Sequence, residues 1–238
     1  MNFAIVGATG NVGRKTIDIL EKSNLRIDNL FLVASKKSSG KKISFKKKKI
    51  KIISLENYNF SKAQITFFAA GSSVAKKWAP IAAKQTIVID NSNHFRMDKN
   101  ISLVVPEVNE NILKDYKKTN IIANPNCSTA QLVVVLKPLH DKFKIKRIVV
   151  STYQAVSGAG KAHTDELFSQ TKDFLNSKKI KSKNFTKQIA FNLIPHIDKF
   201  AKDGYTKEEW KMENETKKIL DPNIKMTATC VRVPVKTS

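Results

Sequence analysis

The stretch that decides the fold is the N-terminal FAIVGATGNVG, residues 3–13. Phe3 to Val6 form a short apolar run that leads directly into Gly7, Gly10 and Gly13. A helical pattern follows, with Val12, Ile17 and Leu20 read on one side. Strand, glycine turn and helix in that order open a βαβ unit. Glycine permits the tight turn and lets backbone N–H groups approach a pyrophosphate, and the helix N-terminus adds a favourable partial positive charge. A glycine triplet also serves plain strand–helix turns. Its place at the head of a repeated βαβ pattern favours the dinucleotide reading.

Working outward, LFLVA (30–34), ITFFAA (65–70), TIVID (86–90), SLVV (102–105) and NIIA (120–123) are further short apolar runs. SSVAKKWAPIAAK (72–84) reads as a helix that Pro80 perturbs. Continuously apolar strands alternating with helices indicate a parallel sheet buried on both faces. The texture changes after Pro125. A long helix is expected from Ser128 to His140. KRIVVSTYQAV (146–156) and IKMTATCVRVPV (224–235) are longer, with partial period-two character, and suit a mixed or antiparallel sheet with one covered face. Between them lie two helix candidates, KAHTDELFSQTKDFL (161–175) and TKEEWKMENETKKIL (206–220). The second opens with Thr206 and Glu209, the spacing of a capping box. The expected organisation is a Rossmann-like dinucleotide-binding domain over residues 1–125, followed by an α+β domain with a mixed sheet over 126–238.

The 238 residues are 41% hydrophobic and 26% charged, too apolar and aromatic for a disordered chain. The net charge is +23, but 38 of the 43 cations are Lys. Nucleic-acid readers use Arg heavily, because its planar fork fits bases and phosphates. The excess reads instead as a bias spread over the chain, and a nucleic-acid partner would rest on net charge alone. The densest cluster, KKISFKKKKIKI (41–52), reads as a solvated hairpin edge, where Lys discourages strand-to-strand aggregation. No run approaches the roughly 18 apolar residues of a membrane span. MNFAIVGATG has no basic region before its apolar stretch, so it reads as a strand and not as a signal peptide. Two cysteines, Cys127 and Cys230, make no disulfide framework, and a reducing cytoplasm is the default. The reading assigns no metal.

Two further stretches carry chemistry. An NAD site usually places an acid at the end of the second strand, on the ribose 2′-hydroxyl. Here LFLVA runs into Ser35, Lys36, Lys37 and Ser38, which favours the 2′-phosphate of NADP. Cys127 lies in ANPNCSTAQLVVV (123–135), directly after a strand and at the start of a helix. A helix N-terminus favours a thiolate, and backbone N–H groups at such a turn receive a developing oxyanion. A nucleophilic Cys beside a nicotinamide suggests attack on an acyl carbon, a thioester, and hydride exchange at that carbon. Cys230 sits within an apolar strand and reads as an inert core residue. Tyr58 and Lys62 match the YxxxK of short-chain dehydrogenases, but they lie too early and on no clear helical face.

GATGNVG, SKKSSGKK, NHFRM, NPNCST, STYQAVSGAG, IPHID, GYTKEEWKMENETKKIL and CVRVPV occur in this order. Together they resemble the aspartate-semialdehyde dehydrogenase family along the whole chain. The resemblance implies an α/β protein with a Rossmann-like NADP-binding domain and an α+β catalytic and dimerisation domain, hence a homodimer. It implies NADPH-dependent conversion of 4-aspartyl phosphate to aspartate 4-semialdehyde, on the route to lysine, methionine and threonine. By the same resemblance Cys127 is the nucleophile, with Asn126 and Gln154 as polar residues around the thiolate and substrate. Arg96 and Lys218 match phosphate binders, Glu215 a binder of the substrate amino group, and Arg232 the clamp on its α-carboxylate. Gly7, Thr9, Gly10, Asn11, Val12, Gly13, Lys37, Ser38, Ser157 and Gly158 match the cofactor contacts. The set is chemically apt: a bidentate Arg suits a carboxylate, a carboxylate suits an ammonium, and cations suit a phosphate.

One departure stands out. The family's acid–base histidine would fall immediately after Ser238, and His94, His140, His163 and His196 do not occupy that position. His196 reads as structural. The family's closing segment, which returns to the cofactor domain, is also absent. The sequence is therefore expected to be a fragment of the enzyme, the alternative being a catalytically inactive NADP-binding or scaffolding protein.

Overall fold

Phe3, Ala4, Ile5 and Val6 are all at most 3% exposed, as a strand flanked on both edges and covered on both faces requires. The computed structural model describes residues 1–237. They divide into two units, Met1–Val134 with Lys218–Leu220, and Val135–Lys217 with the residues from Asp221 onward.

The first unit runs β1 (Asn2–Val6), α1 (Asn11–Lys22), β2 (Asn29–Ala34), β3 (Lys42–Phe45), β4 (Lys48–Ser54), β5 (Ile65–Phe68), α2 (Ser72–Ala82), β6 (Ile87–Asp90), β7 (Ser102–Leu103), α3 (Pro106–Asn109) and β8 (Ile121–Ala123). Among the described residues these eight strands form one sheet, in the order β3-β4-β2-β1-β5-β6-β8-β7. Every pairing is parallel except the β3–β4 hairpin. The lysine-rich stretch is thus a hairpin on the sheet's edge, as its composition suggested. Alternate residues of β1 enter different cores. Phe3 and Ile5 pack with Ile17, Leu20 and Leu32, while Ala4 and Val6 pack with Phe68, Ala75, Ala79 and Val88. This division explains the unbroken apolar run, since each face needs its own set of side chains.

Helix α1 buries Gly13, Ile17 and Leu20, whereas Val12 is 48% exposed. The steps of four and three keep Gly13 on the covered stripe. Val12, five residues before Ile17, is rotated off it. Pro80 does not break α2. It lies near the helix end, and Ala75, Ala79 and Ala82 still form one buried stripe.

After α4 (Cys127–Phe143), the second unit contains β9 (Arg147–Ala155), α5 (Lys161–Leu175), α6 (Lys207–Ile219) and β10 (Lys225–Val233). Strands β9 and β10 pair in parallel, from Arg147↔Lys225 to Ala155↔Val233. Beside this two-stranded parallel sheet lies an isolated antiparallel bridge, Ile194↔Arg232. Met226, Ala228, Cys230 and Arg232 alternate into the covered face, while Val149, Ser151 and Tyr153 are exposed. The capping box of α6 forms. Thr206 N donates to Glu209 Oε2 at 2.7 Å, and Glu209 N donates to Thr206 Oγ1 at 3.3 Å.

The stretch between α5 and α6 is irregular, and two buried side chains of α5 hold it. Gln170 Oε1 accepts from the backbone N–H groups of Ile189 at 2.8 Å and Ala190 at 3.2 Å. Its amide nitrogen donates to Glu166 Oε1 at 2.9 Å. Glu166 also accepts from Lys183 N at 3.0 Å, and from Asn184 N and Nδ2 at 2.6 Å each. Burial pushes the Glu166 pKa up, but these donors outweigh it and hold the carboxyl below its ordinary range. Buried backbone groups left without partners are costly. Gln170→Ala, which orphans two buried amides, is expected to lower the unfolding free energy by about 2–3 kcal/mol. Urea denaturation checks this, and an unchanged midpoint would show that the segment is held by other contacts.

Candidate active site

The glycine turn is built by close approach. Gly7 has φ +89, and a Cβ there would lie 2.6 Å from the Ala69 carbonyl oxygen. A Cβ on Gly13 would collide with the carbonyl oxygen of Gly7. Gly10 is the N-cap of α1 and supplies no side-chain acceptor. The first N–H groups of that helix therefore have no side-chain cap, and Thr9, Gly10, Asn11 and Val12 are exposed beside them. Such a cradle fits the diphosphate of a dinucleotide. Past the end of β2, Lys36 to Ser38 form a single 3₁₀ turn, with Ser35, Lys36 and Lys37 exposed and Ser38 half-buried.

The nucleophile turn begins where β8 ends. Asn124 N donates to the Asp90 carbonyl at 2.8 Å. Asn126 is buried, and its Oδ1 accepts from Ser128 N at 2.9 Å and more weakly from Thr129 N at 3.4 Å. It is the N-cap of α4, so its side chain shapes the turn that presents Cys127. Cys127 is the first residue of α4 and is exposed.

Arg96 lies in a loop packed under this turn. Its Nε donates to the Asn124 carbonyl at 2.9 Å and Nη2 to the Asn91 carbonyl at 3.1 Å. The loop is anchored at its start by Asp90, which accepts from Ser92 Oγ at 2.6 Å and Ser92 N at 3.1 Å. Burial raises the Asp90 pKa against the pull of those donors and of Arg96. Lys218 anchors the loop's far side. Its Nζ donates to the carbonyls of Arg96 and Asp98 at 2.7 Å each and of Ile101 at 3.0 Å. Burial lowers the Lys218 pKa. Arg96 and Lys218, matched by resemblance to phosphate binders, thus also build the loop beside Cys127.

In the second unit Gln154 and Arg232 are partners across the β9–β10 ladder. Arg232 is 6% exposed, and its Nη1 donates to the Ala155 carbonyl at 2.7 Å. Gly158 sits against the same guanidinium. Ser157 N donates to the Lys236 carbonyl at 3.2 Å. Gln154 Nε2 faces Glu208 Oε1 at 3.2 Å. Glu215, on α6, is 1% exposed. Cys230 is fully buried and its thiol is pushed up to about 11 by burial, which fits the inert reading. His196 Nε2 lies 2.9 Å from Thr186 Oγ1 within the irregular segment. The position expected for the family's acid–base histidine, immediately after Ser238, lies outside the described residues. Asp90 and Glu208 were not singled out from sequence. Asp90 ends an apolar strand, which is a legible signal for a loop anchor, whereas the Glu208–Glu209 doublet reads only as the acidic first turn of a helix.

Residues 2–116 match the family model for the semialdehyde dehydrogenase NAD binding domain, and residues 136–238 that for the semialdehyde dehydrogenase dimerisation domain. The aspartate-semialdehyde dehydrogenase of Aquifex aeolicus is 55% identical over 236 residues, which is 98% of this chain and 69% of that protein. A crystal structure of aspartate semialdehyde dehydrogenase II from Vibrio cholerae complexed with ASA has a TM-score of 0.97 and 50% identity, covering 99% of this chain and 70% of that one. The Candida albicans aspartate semialdehyde dehydrogenase structure with NADP has a TM-score of 0.69 and 28% identity, covering 99% and 68% respectively. Among the described residues no helix is long and apolar enough to cross a membrane. With a glycine cradle on one sheet edge, a capped cysteine turn on the same edge, and both family models matched in order, this chain belongs to the aspartate-semialdehyde dehydrogenase family of oxidoreductases.

Proposed function

We propose that the enzyme represented by this chain carries out the NADPH-dependent reductive dephosphorylation of 4-aspartyl phosphate to aspartate 4-semialdehyde through a thioester on Cys127, serving lysine, methionine and threonine synthesis. The observation that carries this reading is the exposed Cys127 at the capped N-terminus of α4, on the sheet edge that also holds the glycine turn. Cys127 attacks the acyl phosphate and phosphate leaves. A backbone N–H of this turn that the Asn126 cap does not take steadies the developing oxyanion. The glycine turn would hold the diphosphate of a nicotinamide dinucleotide, which when bound would supply the hydride for reduction of the Cys127 thioester to a thiohemiacetal. The thiohemiacetal then releases the aldehyde and regenerates Cys127. Arg232 is assigned to the substrate's α-carboxylate, Glu215 to its ammonium, and Gln154 to the reacting acyl group. Arg96 and Lys218 are assigned to the phosphate, with the loop they stabilise beside Cys127 as their common frame.

The preference for NADP rests on Lys37 and Ser38 at the end of β2, where a carboxylate would be needed to hold a bare 2′-hydroxyl. Thr9 to Val12, Ser157 and Gly158 complete the proposed cofactor contacts. A homodimer is supported by the match to a dimerisation domain and by the open face of β9, where Val149 is 70% and Tyr153 68% exposed. An exposed free thiol at the reactive position suits a reducing cytoplasm.

Cys127→Ala is expected to abolish phosphate-dependent NADPH formation from the semialdehyde while leaving NADPH binding, followed by fluorescence, unchanged. Substantial turnover in that variant would sink the thioester mechanism. Lys37→Asp is expected to weaken NADPH binding by about tenfold or more, the scale of one charge-assisted bond, and to leave NADH nearly unaffected. Titration with both cofactors decides it, and equal losses would make Lys37 a bystander.

A further inference from the structure

Gln154 is held by a buried charged group that none of the proposed catalytic steps uses. Glu208, near the start of α6, has a side chain only 8% exposed. Its Oε1 accepts from Gln154 Nε2 at 3.2 Å and its Oε2 from Lys211 Nζ at 3.2 Å. Lys211, itself 17% exposed, reaches on to Asp198 Oδ2 at 2.8 Å. Asp198 Oδ1 accepts from Lys199 N at 2.8 Å and so closes the chain in the irregular segment. Burial draws the Lys211 pKa down, but Asp198 and Glu208 outweigh it and keep the ammonium charged.

The chemistry of these contacts gives them a role. A carboxylate only accepts hydrogen bonds, so it admits the NH₂ end of an amide and rejects the carbonyl end. Thr152 Oγ1, 3.5 Å from the same nitrogen, lies on the same side. The carbonyl of Gln154 is thereby directed the other way, with a fixed polarity, on a strand whose ladder partner is Arg232. A buried ion pair, moreover, is a poor source of net stability compared with apolar residues of similar volume. A buried acid, backed by a cation and a second acid and ending on a catalytic candidate, is better explained by what it orients.

We propose that Glu208, backed by Lys211 and Asp198, is a positioning residue that fixes the polarity of the Gln154 amide, with the NH₂ held at Glu208 and the carbonyl end turned away from it, for the part that Gln154 plays in the proposed reaction. The inference rests on the role given to Gln154 in the proposed function, and the test separates the two. In the full chain labelled with ¹⁵N-glutamine, Gln154→Ala identifies the Gln154 side-chain NH₂ signals. In Glu208→Gln, whose neutral amide accepts either end of Gln154, those signals should move upfield and exchange with water about tenfold faster. Asp198→Asn, one contact further away, should move them less and in the same direction. It also serves as the second variant if Glu208→Gln does not fold. In steady-state assays Glu208→Gln should lower kcat about tenfold with KM little changed. The Glu208→Gln, Gln154→Ala double variant should be no slower than Gln154→Ala alone. Unmoved Gln154 signals in a folded variant, or losses that add in the double variant, would overturn the positioning role. A normal kcat in Gln154→Ala would instead remove Gln154 from the mechanism, and the amide signals would still decide whether Glu208 orients it.

Discussion

Ala69 donates to the Val6 carbonyl, Asn91 to that of Phe68, and Asn124 to that of Asp90, each at 2.8 to 2.9 Å. These three bonds are the last rungs of β1–β5, β5–β6 and β6–β8, where the parallel strands give way to loops. The register they set is the constraint on which the first unit's chemistry depends. It puts the glycine turn, the loop carrying Arg96 and the turn carrying Cys127 on one edge of one sheet. Open parallel sheets bind ligands at the carboxyl ends of their strands for this reason: the loops there are supported by a rigid ladder and carry their own unspent backbone donors. A slip of one residue at any of the three rungs would turn the following loop to the opposite face.

The loops then secure themselves with side chains that the sequence presents as ordinary polar residues. Asp90 grips Ser92, Arg96 grips the carbonyls of Asn91 and Asn124, and Lys218 covers three carbonyls of residues 96–101. A long charged side chain whose donors meet backbone carbonyls acts as a strut. Its charge is then available to a ligand only as a field or through the donors that remain. Arg96 and Lys218 are struts of this kind, one tying the loop to the Asn124 carbonyl and the other spanning its far side.

Much of this was legible in the sequence, for identifiable reasons. Continuous apolar runs separated by helical patterns leave few alternatives to a parallel sheet, and the strands of the first unit follow them closely. The edge hairpin and the capping box at Thr206 and Glu209 were legible because each depends on residues close in sequence. The orientation of β9 against β10 was not, because period-two alternation is the same for parallel and antiparallel neighbours. Val12 was placed on the buried side of α1 because an apolar side chain is a stronger pattern signal than a glycine, yet Gly13 occupies the stripe. The site contacts were the least legible. Lys218 as a strut for residues 96–101 and Glu208 on Gln154 join partners 54 to 122 positions apart. Local pattern carries no information on such pairs. The family resemblance names the residues without saying what holds them.

The contrast between the two cysteines has a practical consequence. Cys230 is fully buried, its Sγ lies 3.6 Å from Met212 Sδ, and burial pushes its thiol up to about 11. Cys127 is exposed at the mouth of a helix. A thiol reagent added to the folded chain therefore meets two sites that differ in access. The first equivalent consumed reports on the reactive turn. The second is consumed only when β10 leaves β9 and α6. One mass measurement over time thus counts, in the same sample, both the integrity of the nucleophile and the opening of the small sheet behind Arg232.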